Sequence, residues 1–244
     1  MKKLRLDTVL VEKGYAETLE KARALVMAGA VLINEQRAIK ASDLVSNEAT
    51  IRVKSRETKY VGRGGVKLEK ALSEFEIEVR DLICIDIGSS TGGFTDCLLQ
   101  NGAKKVVAID SGKNQMVWEL RQDLRVDLRE TTNARFLKPE DFPELFDIGV
   151  MDVSFISATQ LFPSVVPLLK HYAKFVVLIK PQFEVKKHEV GDGGIVRETE
   201  KHERVINEVN ESAQINGLEV LKIIESPILG MEGNKEFLAY YLKK

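Results

Sequence analysis

The chain has 244 residues, 44% hydrophobic and 30% charged, with a formal net charge of −1, the balance of an ordinary globular protein. No run approaches the roughly 18 apolar residues that span a bilayer, and the opening MKKLRLDTVLVEKG lacks the apolar core of a secretory signal. Cys84 and Cys97 give neither a disulfide framework nor metal-ligand spacing, so a cytoplasmic, metal-free protein is expected.

The charge is unevenly spread. Residues 1–70 hold 15 basic against 9 acidic side chains, a net +6, and the remainder holds 21 against 28, a net −7. A basic piece on an acidic body suggests a nucleic-acid-binding appendage, with a solvated helical face as the bland alternative. Within residues 4–53, Leu6, Val9, Leu10 and Val11 fit one side of a first helix that Gly14 can end. Thr18 can cap a second helix with Ala22, Leu25 and Val26 inward, which Gly29 ends. Short strands follow at Val31–Asn34 and Thr50–Val53. Leu6-Asp7, Leu10, Gly14, Lys21-Ala22-Arg23 and Gly29-Ala-Val31-x-x-Asn34 resemble the RNA-binding domain named after ribosomal protein four of the small subunit. Thr18-Leu19 and Glu35 depart from its commonest form. The resemblance implies that Arg5, Lys21 and Arg23 meet RNA phosphates, contacts that position RNA and carry little sequence information.

Lys54–Gly65, KSRETKYVGRGG, is polar and glycine-rich and reads as a flexible connection. Boundaries are placed at 1–58 for the RNA-binding domain, 59–65 for the linker and 66–244 for the second domain. Lys67 opens a helix whose apolar face is Val66, Leu68, Ala71, Leu72 and Phe75; a lysine there ordinarily faces solvent.

Leu82–Thr95, LICIDIGSSTGGFT, organises the second domain. A short apolar run suits a strand buried on both faces. Asp86, Gly88, Gly92 and Gly93 then make a glycine turn, and Phe94–Leu99 starts a helix. Glycines allow close approach to a ligand, and a helix start offers free N–H groups. The spacing is not that of dinucleotide sites. An acid just before the first glycine favours a cationic or zwitterionic ligand such as S-adenosylmethionine.

Strands and helices then alternate, the signature of a doubly wound sheet. The strand Val106–Asp110 ends in an acid about 20 residues after the turn, a position from which a carboxylate can accept from both ribose hydroxyls, or simply cap a helix. A helix is predicted over Gln115–Arg121, a third strand over Val126–Leu128, and Asn133 lies in the loop that reaches an adenine in this architecture. The fourth strand, Ile148–Asp152, leads into Asp152-Val-Ser-Phe155, followed by a helix interrupted by Pro163 and Pro167. The fifth, Phe175–Lys180, ends in a lysine where parallel strands face a ligand crevice. Gly191–Gly194 is either a lid or a plain connector. A helix over Glu200–Asn216 precedes strands Glu219–Ile224 and Phe237–Leu242, whose short connection makes them antiparallel. The expected fold is therefore α/β: a Rossmann-like, seven-stranded methyltransferase sheet with its last strand antiparallel, behind a small α+β domain.

Lys67, Asp152, Lys180 and Glu236 each have a bland reading, as solvated, capping or surface groups. Jointly they match the Lys-Asp-Lys-Glu set of ribose 2′-O-methyltransferases. The chain resembles the TlyA family of hemolysin-like rRNA methyltransferases, related to the FtsJ type. The resemblance is carried by Val61-Gly-Arg-Gly-Gly-Val-Lys67-Leu, Asp86-Ile-Gly-Ser-Ser-Thr-Gly-Gly-Phe-Thr-Asp96, Met151-Asp-Val-Ser-Phe-Ile-Ser157, Ile179-Lys-Pro-Gln-Phe-Glu184 and Gly233-Asn-Lys-Glu-Phe237. Gly62 departs from it, where serine is common. The resemblance implies methylation of cytidine ribose in rRNA, free or in a ribosomal subunit, with S-adenosylmethionine. It assigns the tetrad to catalysis and Asp86, Gly88, Ser89, Ser90, Thr91, Gly92, Gly93, Phe94, Asp110, Asn133 and Asp152 to the cofactor. Arg63, Phe155 and Phe183 join the RNA-binding candidates; the two rings suit base stacking or the core equally. Asp152-Val-Ser-Phe155 lacks the prolines of adenine amino-methylation sites, and no cysteine stands where cytosine C5 chemistry needs its nucleophile. A non-catalytic assembly factor and a pore-forming hemolysin are the rival classes.

Overall fold

The computed structural model describes residues 3–16, 18–27, 29–34, 36–46, 49–53 and 59–244, with 231 described by its backbone alone. The chain divides into two compact units, Met1–Glu57 and Thr58–Lys244. Among the described residues no helix is long and apolar enough to cross a membrane.

The first unit runs β1 (Lys3–Arg5), α1 (Leu6–Glu12), α2 (Leu19–Met27), β2 (Val31–Ile33), β3 (Gln36–Arg37), β4 (Leu44–Ser46) and β5 (Ile51–Val53). Leu6, Val9 and Leu10 recur at helical spacing and meet Ala22, Val26, Val31 and Ile51 in one core. Thr18 caps α2 through Oγ1, which accepts from the Lys21 N–H at 3.2 Å. Strands β3, β2 and β5 form one antiparallel sheet, and β1 pairs with β4. The predicted elements are present; β1, β3 and β4 are additional, each too short to show alternation in sequence.

Asp7 is fully buried at the start of α1 and gathers both arginines expected at RNA. Arg5 grips it with a two-nitrogen fork at 3.0 and 2.8 Å, and Arg23 Nε donates at 3.1 Å. Each arginine stays about half exposed, so this ion pair sets its direction without hiding it. The Arg5 guanidinium foremost, then Arg23, holds the Asp7 carboxyl well below the usual carboxylate range. A depressed pKa contributes stability above the unfolded value of about 3.9, lost as pH falls below it. Asp7→Ala is therefore expected to destabilise this unit by roughly 1–3 kcal/mol at neutral pH. Hydrogen exchange on α1 and α2 would read the loss, and acidification below about pH 4 should shrink the difference from wild type.

The second unit runs α3 (Arg63–Glu74), β6 (Ile83–Ile87), α4 (Gly93–Gln100), β7 (Lys105–Ile109), α5 (Trp118–Arg121), β8 (Val126–Arg129), β9 (Phe146–Met151), α6 (Phe162–Val165), β10 (Leu169–Ile179), α7 (Pro181–Glu184), α8 (Thr199–Ile215), β11 (Leu218–Glu225) and β12 (Phe237–Lys243). The sheet order is β11-β12-β10-β9-β6-β7-β8. Strands β8, β7, β6, β9 and β10 are parallel, and β12 runs antiparallel to both neighbours. Alternation along β10 divides the core in two. Phe175, Val177 and Ile179 join Phe162, Val205 and Tyr241 on one face. Val176 and Leu178 join Leu68, Phe94 and Leu98 on the other. The chain leaves β6 toward β7 and later returns to β9 on its other side, so the carboxyl ends of β6 and β9 open a crevice.

The prolines act as the sequence reading expects, while the helix at 115–121 and the linker depart from it. The prolines at 163 and 167 confine the α6 region to one α turn and one 3₁₀ turn. The helix expected at 115–121 is reduced to Trp118–Arg121. The flexible connection expected over Lys54–Gly65, with its linker placed at 59–65, is packed into the second unit from Tyr60 onward, while 54–58 lies outside the described residues. Tyr60 is buried in the core with Leu68 and Phe94. The Val61 N–H donates to Asp96 at 2.8 Å, and α3 already begins at Arg63. The glycines serve close approach instead of looseness. A Cβ on Gly65 would lie 2.3 Å from the Tyr60 ring, and one on Gly93 would lie 3.0 Å from the Gly65 nitrogen. The start of α3 thus lies directly on the start of α4.

Candidate active site

The crevice contains a cavity of about 300 Å³. Lys67, Asp152, Lys180 and Glu236 all line it, arriving from α3, the end of β9, the end of β10 and the residue before β12. They form two ion pairs. Lys67 Nζ lies 2.5 Å from Glu236 Oε2, with side chains only 8% and 2% exposed, so the solvated reading of Lys67 fails. Lys180 Nζ lies 2.6 Å from Asp152 Oδ1, off hydrogen-bond direction, and donates to Ser154 Oγ at 2.9 Å. Asp152 is fixed by its own N–H, which donates to the Ile87 carbonyl at 2.9 Å.

Glu236 is held by neighbours that the sequence reading missed. A Cβ on Gly230 would lie 2.1 Å from Glu236 Oε1, so the glycine makes room for the carboxylate. The Gly230 N–H donates to the Asn234 carbonyl at 2.8 Å. The buried Asn234 side chain accepts from the Val196 N–H at 3.0 Å and donates to the Gly194 carbonyl at 2.9 Å. Gly191–Gly194 is therefore fastened to the segment that carries Glu236. Its one sequence signal was the Gly-Asn-Lys-Glu run itself.

The glycine turn forms the other wall. Gly88 has φ +85, and a Cβ there would lie 2.4 Å from the Asp152 carbonyl oxygen, so only glycine brings β6 this close to β9. Gly88, Ser89, Ser90, Thr91, Gly93 and Phe94 line the cavity. Asp86, Gly92, Asp110 and Asn133 do not. Asp86 lies fully buried in β6; Thr95 Oγ1 donates to its Oδ2 at 2.6 Å, and Oδ1 has no partner. Burial, aided by the nearby Asp152 charge, pushes the Asp86 carboxyl up to about 7. Gly92 precedes α4 with φ +98. Asp110 accepts from the Ser90 N–H at 2.8 Å and the Gly112 N–H at 2.7 Å, which ties the turn to the end of β7. Asn133 caps a 3₁₀ turn by accepting from the Arg135 N–H at 3.1 Å.

Buried polar atoms without a hydrogen bond gather here: Asp86 Oδ1, Ser89 Oγ, Asp152 Oδ1, which faces the Lys180 amine, and Gln182 Oε1. Three of them are oxygens that can only accept while the acids are ionised. A ligand that brings an ammonium and hydroxyl donors satisfies such a set, and S-adenosylmethionine carries both. Among the described residues no cluster could hold a metal ion. Cys84 and Cys97 are fully buried, and burial pushes the Cys97 thiol up to about 12, so neither offers a thiolate.

At the mouth, Arg63, Phe155 and Phe183 line the cavity. Phe155 is 89% exposed with φ +65, and its ring centroid lies 5.1 Å from that of Phe183. The core reading fails for Phe155, and Phe183 is half-buried. A left-handed phenylalanine held in solvent is a conformation that neighbours must enforce. Arg5, Lys21 and Arg23 belong to the other unit.

The family model of FtsJ-like methyltransferases matches residues 60–243, and that of the S4 domain matches residues 4–51. Mycobacterium tuberculosis has a relative named 16S/23S rRNA (cytidine-2′-O)-methyltransferase TlyA, 40% identical over 98% of this chain and 90% of its own length. Hemolysin A of Brachyspira hyodysenteriae is 42% identical over 98% of this chain and all of its own. A solved structure from Streptococcus thermophilus, which also carries hemolysin in its name, is 44% identical with a TM-score of 0.76, covering all of this chain and 90% of that one. The chain belongs to the TlyA family, an S4 domain joined to an FtsJ-like methyltransferase domain whose cofactor is S-adenosylmethionine.

Proposed function

We propose that this protein methylates the ribose 2′-hydroxyl of a cytidine in ribosomal RNA, in the cytoplasm, with Lys67, Asp152, Lys180 and Glu236 as its reactive set. The observation that carries the reading is the Lys180–Asp152 pair at 2.6 Å, sharing one cavity with Lys67–Glu236 and the glycine turn. The relative named as an rRNA (cytidine-2′-O)-methyltransferase supports the substrate.

When bound, the cofactor supplies an electrophilic methyl group on a sulfonium. Gly88 to Phe94, with Asp86 beneath, would hold it, and Asp110 and Asn133 would reach its adenosine. A ribose hydroxyl is a poor nucleophile at neutral pH, so a base must take its proton during attack. Lys180 takes that proton at Nζ, and Asp152 orients the amine. Only the neutral amine can accept the proton. The Lys67–Glu236 pair fixes the opposite wall and steers the hydroxyl. Phe155 and Phe183 offer faces on which the target base stacks. Arg5, Lys21 and Arg23 on the S4 unit, with Arg63 at the mouth, meet the RNA backbone.

Tritium transfer from labelled cofactor to ribosomal subunits and naked rRNA, followed by nuclease digestion, tests the reading. Label on a ribose 2′-oxygen supports it; label on a base, or none with cofactor still bound, overturns it.

Asp86 adds a pH signature. Buried beneath the glycine turn, its carboxyl acts on a cationic ligand through its charge, and its raised value of about 7 means that affinity climbs with pH up to neutrality and then levels. Calorimetry should find binding weaker at pH 6 than at pH 8. In the cofactor-free protein the same group works the other way. The folded state binds the extra proton between about pH 4 and 7, so stability falls as pH rises through that window. Asp86→Asn should flatten both trends.

A further inference from the structure

We infer that Ser154 is the proton exit of Lys180, an inference that rests on the function proposed above. A base that takes one proton per turnover must also release one. Among the described residues, Lys180 Nζ meets two polar groups, Asp152 Oδ1 at 2.6 Å and Ser154 Oγ at 2.9 Å. The Phe183 ring, 6.0 Å from Nζ, makes a third side apolar. The lysine side chain is only 11% exposed, while Ser154 is exposed at the cavity mouth. An ionised carboxylate accepts and stabilises the ammonium, which holds the proton in place. A hydroxyl both accepts and donates, so it can pass a proton onward without changing charge. Ser154 is therefore the neighbour suited to discharge, standing between the enclosed lysine and water.

The step balances. The ribose hydroxyl proton arrives at Nζ and makes an ammonium. The ammonium then gives one proton to Ser154 Oγ while the serine's own hydroxyl proton leaves to water or a buffer base. Lysine is again neutral, serine is unchanged, and one proton is released for each methyl transferred. Ser154 acts through Lys180 and needs no contact with substrate.

The test uses the full chain with its rRNA substrate, comparing wild type, Ser154→Ala and Ser154→Thr in dilute buffer at constant pH and ionic strength. Ser154→Ala should lower kcat about tenfold or more, with cofactor affinity and melting temperature unchanged. Added imidazole, a small proton acceptor, should restore its rate, and Ser154→Thr should run near wild type. A role in packing alone would not respond to imidazole. Unchanged kcat in Ser154→Ala, or a loss that neither imidazole nor threonine repairs, overturns the assignment. Wild-type protein that places no methyl on ribose overturns the parent reading and this one with it, so the two failures are distinguishable.

Discussion

Lys180→Met is expected to lower kcat by about 10²–10⁴-fold, the usual contribution of a positioned base, while leaving cofactor affinity intact. Methionine keeps much of the lysine's length and flexibility, so the packing around the end of β10 has little reason to change. What disappears is the amine 2.6 Å from Asp152 and its bond to Ser154. Asp152 is about one-fifth exposed, so water can reach the carboxylate left behind. The variant should fold and bind S-adenosylmethionine, and equilibrium binding beside methyl transfer would show the separation. Wild-type turnover in a variant that binds cofactor would remove Lys180 from the role of base.

Glu236→Ala is expected to act on stability first. Lys67 is almost wholly enclosed, and its amine faces Glu236 at 2.5 Å. Removing the acid leaves a buried ammonium without its counter-charge, a change that typically costs about 3–5 kcal/mol. Urea denaturation should show it as a lowered midpoint with an unchanged slope. Joint replacement, Lys67→Met with Glu236→Leu, removes both charges. It should recover most of the lost stability, because a buried ion pair can often be replaced by packed apolar groups. Activity should not return. A double variant as unstable as Glu236→Ala would mean that the wall depends on the carboxylate's shape more than on charge.

The alternation of apolar runs with turns and amphipathic stretches was enough to read the second unit's seven strands and the reversed last one, but not their order in the sheet. Lys67, Asp152, Lys180 and Glu236 were singled out by their expected crevice-facing places and their joint resemblance to the Lys-Asp-Lys-Glu set, and all four line one cavity. Gly88 was legible as a turn, although the reason it must be glycine, an Asp152 carbonyl that would lie 2.4 Å from any Cβ, requires a distant strand. The glycines at 62, 64 and 65 misled, since local composition cannot tell looseness from close approach to another helix. Asn234, Gly230 and Ser154 were missed because their roles arise from partners far along the chain or on another loop. Arg5 and Arg23 showed their charge in sequence and hid the buried Asp7 that aims them. Phe155 could not be placed, because nothing local predicts a left-handed aromatic in solvent.

The antiparallel course of β12 has a consequence for synthesis on the ribosome. Asp152 and Lys180 follow their strands, but Glu236 precedes its own, 169 residues after the lysine that it neutralises. A nascent chain halted before that point already carries the glycine turn and both lysines. It lacks the acid beneath Lys67 and the strand that would wedge between β10 and β11. The cavity wall that Glu236 completes closes only when this late segment emerges, so in an unfinished chain Lys67 has yet to meet its counter-charge.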